Sequence, residues 1–390
     1  MRTLVFLLLL FNGPLFAQVF VPGQTYYSAD SLIEYRCGNL PLIITSPHGG
    51  YLEPANIPDR TCPGAVVIRD GFTQELSRVI DSVFIQYHGC QPHIIINRLH
   101  RKKLDPNRPL SIATCDSPQA AASWEAFHTF ADSAKALIIR SFGSGLLLDI
   151  HGHAHTIQRL ELGYQLTSDQ LRSGDSAINS AFRVQRSGIR NLVASNLTGR
   201  NHVELLRGET ALGTQLHLAG YASVPSQQIP FPLTGELYFS GAYITERHGS
   251  MNGGAIDAVQ LEHQMAGVRE NAATRRAYAD TLRRVVVRFL QQHYFGDTSF
   301  LNCMPITSSI AVRQQNLARV YPNPSNQLTI ETQEEARLFL FDLQGGLISQ
   351  QPLSLGHNTL STLPRTAGVY LLRLQFNSGA TGHFRWIYTE

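Results

Sequence analysis

Over roughly the first three hundred residues, short continuous apolar runs alternate with stretches in which apolar residues recur every three or four positions. Residues 40–45, 93–96 and 146–150 are runs of the first kind, as expected for strands covered on both faces. Between them Phe72, Leu76, Val79, Ile80 and Val83 recur at helical spacing, and Trp124, Phe127, Ala131 and Leu137 mark one side of a second helix. This alternation predicts an α/β fold with a mostly parallel or mixed sheet flanked by helices. The pattern changes near residue 304. A polar stretch from Ile306 to Arg319 leads to strand-like runs at 328–331, 337–342, 369–375 and 384–388, with turn signals at Gln344-Gly345-Gly346 and Asn377-Ser378-Gly379. That second region reads as a small all-β sandwich, and it holds no cluster of histidines or carboxylates suited to catalysis.

The N-terminus combines Arg2, an apolar core from Leu4 to Phe11, a Gly13-Pro14 break and Ala17, which together predict a secretory signal peptide over 1–17. No later apolar run is long enough to span a bilayer. The expected organisation is a signal peptide (1–17), a catalytic domain (25–303), a linker (304–318) and a C-terminal β-sandwich (319–390). Thirty-two basic and 29 acidic residues give a net charge of +3, too balanced to point to a nucleic-acid partner. Export makes disulfides plausible among Cys37, Cys62, Cys90, Cys115 and Cys303, an odd set that leaves at least one thiol over. Pairs Cys37–Cys62 and Cys90–Cys115 are the expected ones, closing loops around the site.

Candidate chemistry gathers where strands end, because open α/β sheets place ligands outside the carboxyl ends of their strands. The first run delivers Ser46-Pro47-His48-Gly49-Gly50, in which proline gives the histidine a rigid approach and the glycines an uncrowded exit. The third delivers Asp149-Ile150-His151-Gly152-His153-Ala154-His155, whose histidines can share one side of an extended segment. Imidazole nitrogens suit zinc, and a catalytic zinc site needs three protein ligands. His48 and His151 are the expected histidine ligands, the latter being nearest its strand. The third is a carboxylate, Asp70 or Glu75, which project ~140° apart on a helix and cannot both face the ion; Asp70 is preferred because it precedes the apolar stripe. After the second run comes a basic stretch, Arg98 to Arg108, whose arginine forks and Asn107 suit an anionic substrate. Glu262 closes the apolar run Ala258-Val259-Gln260-Leu261 and can take a proton from water.

Two resemblances bear on these segments. Val320-Tyr321-Pro322-Asn323-Pro324, then Leu340 to Gly345 and Gly368 to Leu374, resemble the C-terminal sorting domain of the type IX secretion system of Bacteroidetes. That likeness implies a partner in the type IX machinery and a secreted or cell-surface location. Ser46 to Gly50, Asp70 to Leu76, Arg101 to Arg108, Asp149-Ile150-His151, Gly241 to Thr245 and Gln260-Leu261-Glu262, taken in order, resemble the N-formylglutamate amidohydrolase family of zinc hydrolases, which has a carboxypeptidase-like α/β fold. By that resemblance His48, Asp70 and His151 bind one zinc ion and Glu262 is the general base. Arg101 stabilises the oxyanion, while Asn107 and Arg108 hold the substrate carboxylate. The related carboxypeptidases carry a glutamate three residues after their first histidine ligand; Tyr51 stands there in this chain, and Gly152-His153-Ala154-His155 and Arg159 to Tyr164 are further departures. The expected activity is zinc-dependent hydrolysis of an amide in an N-acyl amino acid or short acidic peptide. A cell-surface metallo-carboxypeptidase or cell-wall peptidase, and a non-catalytic surface binding protein on a hydrolase scaffold, are the alternatives.

Overall fold

The computed structural model describes residues 20–303 and, in the C-terminal part, 318–321, 325–342, 346–364, 366–377 and 381–389. The expected signal peptide and, but for Ala318, the expected linker lie outside these residues. The chain divides into two compact units, Met1–Pro305 and Ile306–Glu390.

The first unit is built on eight strands: β1 (Thr25–Tyr27), β2 (Ile33–Arg36), β3 (Leu42–Ser46), β4 (His93–Asn97), β5 (Gly145–Gly152), β6 (Leu160–Gly163), β7 (Ser223–Val224) and β8 (Ile256–His263). They form one sheet in the order β1-β2-β4-β3-β5-β8-β6-β7. Neighbours β4-β3-β5-β8 are parallel, whereas β1, β2 and β6 join antiparallel, so the sheet is mixed. The apolar runs are continuous because both faces are covered. Leu42, Ile44, Ile94, Ile96, Leu146 and Leu148 pack on one side with Leu76, Ile80 and Phe84 of the helix Thr73–His88 and with Tyr278, Leu282 and Val286 of the helix Ala272–Leu290. Ile43, Ile95 and Leu147, one residue out of phase, pack on the other side with Trp124, Phe127 and Phe130 of the helix Pro118–Phe142. Ser117 caps that helix by accepting from Ala120 N–H, with Pro118 in its first turn.

Two expectations are corrected. The disulfides join Cys62 to Cys115 and Cys90 to Cys303, leaving Cys37 a buried free thiol; the fold brings together cysteines 53 and 213 residues apart, so nearness in sequence misleads. The two glycines after His48 do not give it an uncrowded exit. A Cβ on Gly49 would lie 2.5 Å from Gln74 N, and one on Gly50 would lie 2.3 Å from Leu99 O, so they are needed for close backbone packing.

The described part of the second unit holds a three-stranded sheet and a four-stranded sheet. All of their pairings are antiparallel, and the sheets enclose a core that includes Leu338, Leu340, Leu372, Leu374 and Trp386.

Two sheet histidines make the first unit sensitive to acid. His93 Nδ1 accepts from Tyr35 Oη at 2.9 Å, and His263 Nδ1–H donates to the His151 carbonyl at 2.8 Å. Burial pushes both imidazoles down to about 3. They stay neutral in the fold while the unfolded chain takes up protons below ~6.5, so their contribution is complete above that pH and is lost as the pH falls toward 3. At pH 5 each should cost about 2 kcal/mol of stability. The stability lost between pH 7.5 and pH 5 should therefore be smaller in His93→Gln than in wild type, as thermal unfolding at the two pH values measures; an equal change in both proteins would contradict this account.

Candidate metal centre

The register of the central strands builds the site. Thr45 lies opposite Asp149 and Asp149 opposite Gln260; two residues on, His151 lies opposite Glu262, which in turn faces Glu161 on β6. Residues two apart on a strand share a face, so Asp149 and His151, Gln260 and Glu262 form one patch. His48 follows β3, and Asp70 lies in the loop before the helix Thr73–His88 rather than on its first turn. There Phe72 takes a left-handed conformation with φ of 66° and makes the turn into the helix. Asp70 N–H bonds back to the His48 carbonyl at 3.2 Å.

Three donor atoms converge. His48 Nδ1 lies 3.2 Å and His151 Nδ1 3.1 Å from Asp70 Oδ2. The far nitrogen of each ring meets a second, fully buried aspartate: His48 Nε2 to Asp105 Oδ1 at 2.6 Å, His151 Nε2 to Asp149 Oδ2 at 2.7 Å. Asp149 is itself fixed by Thr45 Oγ1 at 2.7 Å, and Asp105 by Arg101 Nε at 3.0 Å. A carboxylate behind each imidazole fixes its tautomer and turns the opposite nitrogen toward an ion. His48, Asp70 and His151 thus offer one ligand atom each in a close, buried group.

The electrostatics also fit a cation. Burial works against charge at Asp70, but His48 and His151 hold its carboxyl well below the usual range. Burial likewise disfavours a charged His151, yet Asp149 and Asp70 raise it well above its ordinary value. Glu262 is pushed up to about 8, chiefly by burial, with Asp70, Glu161 and Asp149 adding repulsion and His151 opposing it. Its Oε1 accepts from Gln260 at 2.9 Å, whereas Oε2 is buried without a hydrogen-bond partner among the described residues. Carboxylates crowded to this degree, one with an unpartnered oxygen, form a donor set suited to a divalent ion and its water.

Glu75 is not part of this group: its Oε1 accepts from Tyr51 Oη. Arg101 is buried, with Nη1 reaching Asp70 Oδ1 at 3.3 Å and Nη2 free of protein partners among the described residues. Asn107 is anchored by Ile244 N–H on Oδ1 and by Gln260 Oε1 on Nδ2, and Arg108 Nη1 bonds the Asn107 carbonyl. All three line one cavity of about 610 Å³ with His48, Asp70, His151 and Glu262.

His153 and His155 do not join His151; they form a second group with Glu161 beyond the end of β5. His155 Nδ1 donates to Glu161 Oε1 at 2.8 Å, and Glu161 Oε2 accepts from Phe239 N–H. Both ring nitrogens of His153 are engaged by backbone, one with the Arg159 carbonyl and the other with His155 N–H. Sequence reasoning passed over the roles of Asp105, which lay within a noted motif, and of Arg269. The latter clamps the Gly71, His153 and His263 carbonyls around the centre. Nothing in the local pattern marks it, since two of its three partners, Gly71 and His153, come from distant segments.

The family model of the secretion system C-terminal sorting domain matches residues 319–385. No curated protein matches the chain. Among solved structures, the chain is similar to a gene product of Agrobacterium tumefaciens at 11% identity and a TM-score of 0.40, covering 67% of this chain and 95% of that one. Over 18% of its length it is similar to a protein with an immunoglobulin-like β-sandwich fold from Bacteroides vulgatus, at 18% identity and a TM-score of 0.16, covering 83% of that chain. Among the described residues no helix is long and apolar enough to cross a membrane. The C-terminal unit is a type IX secretion sorting domain, and the protein is exported, to the cell surface or beyond it.

Proposed function

We propose that the first unit is a zinc-dependent hydrolase of a linear amide bond, acting on an N-acyl amino acid or short acidic peptide in the manner of the N-formylglutamate amidohydrolases and on their carboxypeptidase-like fold. The observation that carries this reading is the convergence of His48 Nδ1, Asp70 Oδ2 and His151 Nδ1, each imidazole backed by a buried aspartate, beside a glutamate with an unpartnered oxygen. His48, Asp70 and His151 would hold one zinc ion, which would supply Lewis acidity toward the scissile carbonyl and toward water. Glu262, favoured as the carboxylate beside a divalent ion, can accept the proton of the attacking water at Oε2 and return it to the departing amine nitrogen. Arg101 Nη2 is the free donor for the developing oxyanion, a contribution of about 3 kcal/mol where one such donor is removed. Arg108 binds the substrate carboxylate, and Asn107 holds the floor of the cavity beside it.

Two measurements test this reading. Purified protein should hydrolyse N-formyl-glutamate or an N-acetylated amino acid and lose that activity to a chelator; no turnover of any N-acyl amino acid would refute it. Metal analysis should find one zinc per chain, retained in His155→Ala because the His153–His155–Glu161 group is satisfied by its own hydrogen bonds. Two ions in wild type, or none, would contradict that count. A second reading, trimming of C-terminal residues from short peptides, is favoured by a cavity larger than a formyl amino acid needs, and peptides in the same assay separate the two.

A further inference from the structure

The cavity has two characters. Its floor is polar, with buried Arg101 and Asn107 beside the candidate metal ligands, whereas Val66, Ile68, Phe239 and Met265 also line it yet remain between 39% and 77% exposed. Single exposed apolar residues are ordinary, but four sharing one cavity, with Val67 and Phe72 exposed close by in sequence, form a patch that calls for a ligand. Nor is the segment bearing Val66 and Ile68 loosely held. The Cys62–Cys115 disulfide ties its start, Arg60 Nη1 donates to the Val66 carbonyl at 2.9 Å and the Arg101 carbonyl at 2.8 Å, and Arg101 Nη1 reaches the Ile68 carbonyl at 3.4 Å. The exposed side chains are thus presented from a braced backbone.

Size points the same way. N-formyl-glutamate has only about a dozen non-hydrogen atoms, whereas cavities of roughly 300–1,000 Å³ enclose drug-sized ligands. With the carboxylate on Arg108 beside Asn107, the acyl part lies on the other side of the scissile amide, away from these polar groups and toward the apolar residues. We infer that the substrate carries an extended apolar acyl portion seated on Val66, Ile68, Phe239 and Met265, and not the one-carbon formyl group. This inference rests on the hydrolase reading above and narrows its substrate. An aliphatic acyl chain and an apolar residue of a peptide offer the same chemistry to these side chains.

The test is calorimetric binding to the zinc-loaded full mature chain bearing Glu262→Gln, which prevents turnover. The probes are N-formyl-, N-butanoyl-, N-hexanoyl- and N-octanoyl-glutamate and the peptide leucyl-leucyl-glutamate. The expected result is a Kd that falls about three- to fourfold per added methylene. In Val66→Ser/Ile68→Ser, which removes apolar surface at exposed positions without adding charge, that dependence should flatten while N-formyl-glutamate affinity stays within about twofold. Tighter binding of N-octanoyl-glutamate alone identifies an aliphatic chain; equal or tighter binding of the peptide identifies an apolar residue. The same order is expected in kcat/KM for wild type, should Glu262→Gln fold poorly. A Kd and kcat/KM independent of acyl length overturn the inference, and if wild type still hydrolyses N-formyl-glutamate the hydrolase reading survives that result.

Discussion

Replacement of Glu262 by glutamine should leave zinc bound and the fold intact while lowering turnover of an N-acyl amino acid by about 10²–10⁴-fold, the range for a lost general base. The position supports so selective an effect. Glu262 lies between His151 and Glu161 in the sheet register, and its Oε1 is already held by Gln260. Glutamine keeps the size of the side chain and removes the negative charge that neighbouring carboxylates oppose, so stability should hold or rise slightly. Parallel assays of turnover, zinc content and urea midpoint check this. Undiminished turnover would assign the base elsewhere, and unchanged biological activity would favour the binding-protein reading of the scaffold.

His151→Ala should be the most damaging single change, abolishing zinc binding and destabilising the first unit by about 3–5 kcal/mol, the usual cost of stranding a buried charge. The ring satisfies Asp149 Oδ2 through Nε2 and meets Asp70 through Nδ1, and both aspartates are buried. Removing it leaves Asp149 with Thr45 Oγ1 as its side-chain partner. Adding Asp149→Asn should recover part of the stability and none of the zinc, which separates loss of the ion from loss of the charge pair. Denaturant titration of both variants measures this; a wild-type midpoint in His151→Ala would contradict the interlocked network.

What was legible in the sequence follows from geometry. Strands covered on both faces leave unmistakable apolar runs, and a parallel sheet sends the residues after those runs to one edge, so His48 and His151 could be matched without coordinates. Asp70 precedes the helical stripe, which sets it apart from Glu75 in the sequence, and it reaches the two histidines from a loop. The antiparallel additions were not legible, because β1, β2 and β6 are three or four residues long and too short for a period to emerge. The same holds for the short helices between Ser168 and Leu218. Register across the sheet is a tertiary property. Only the pairing of Glu161 with Glu262, and of His155 with Glu161, reveals that the histidines after His151 serve a separate group.

The central claim is that one divalent ion sits among His48, Asp70 and His151. Crystals of the protein measured on both sides of the zinc absorption edge test it most directly. This account predicts a single anomalous peak bonded to His48 Nδ1, an Asp70 oxygen and His151 Nδ1; a peak at His153, His155 and Glu161 instead, or no peak in protein purified without chelator, would contradict it.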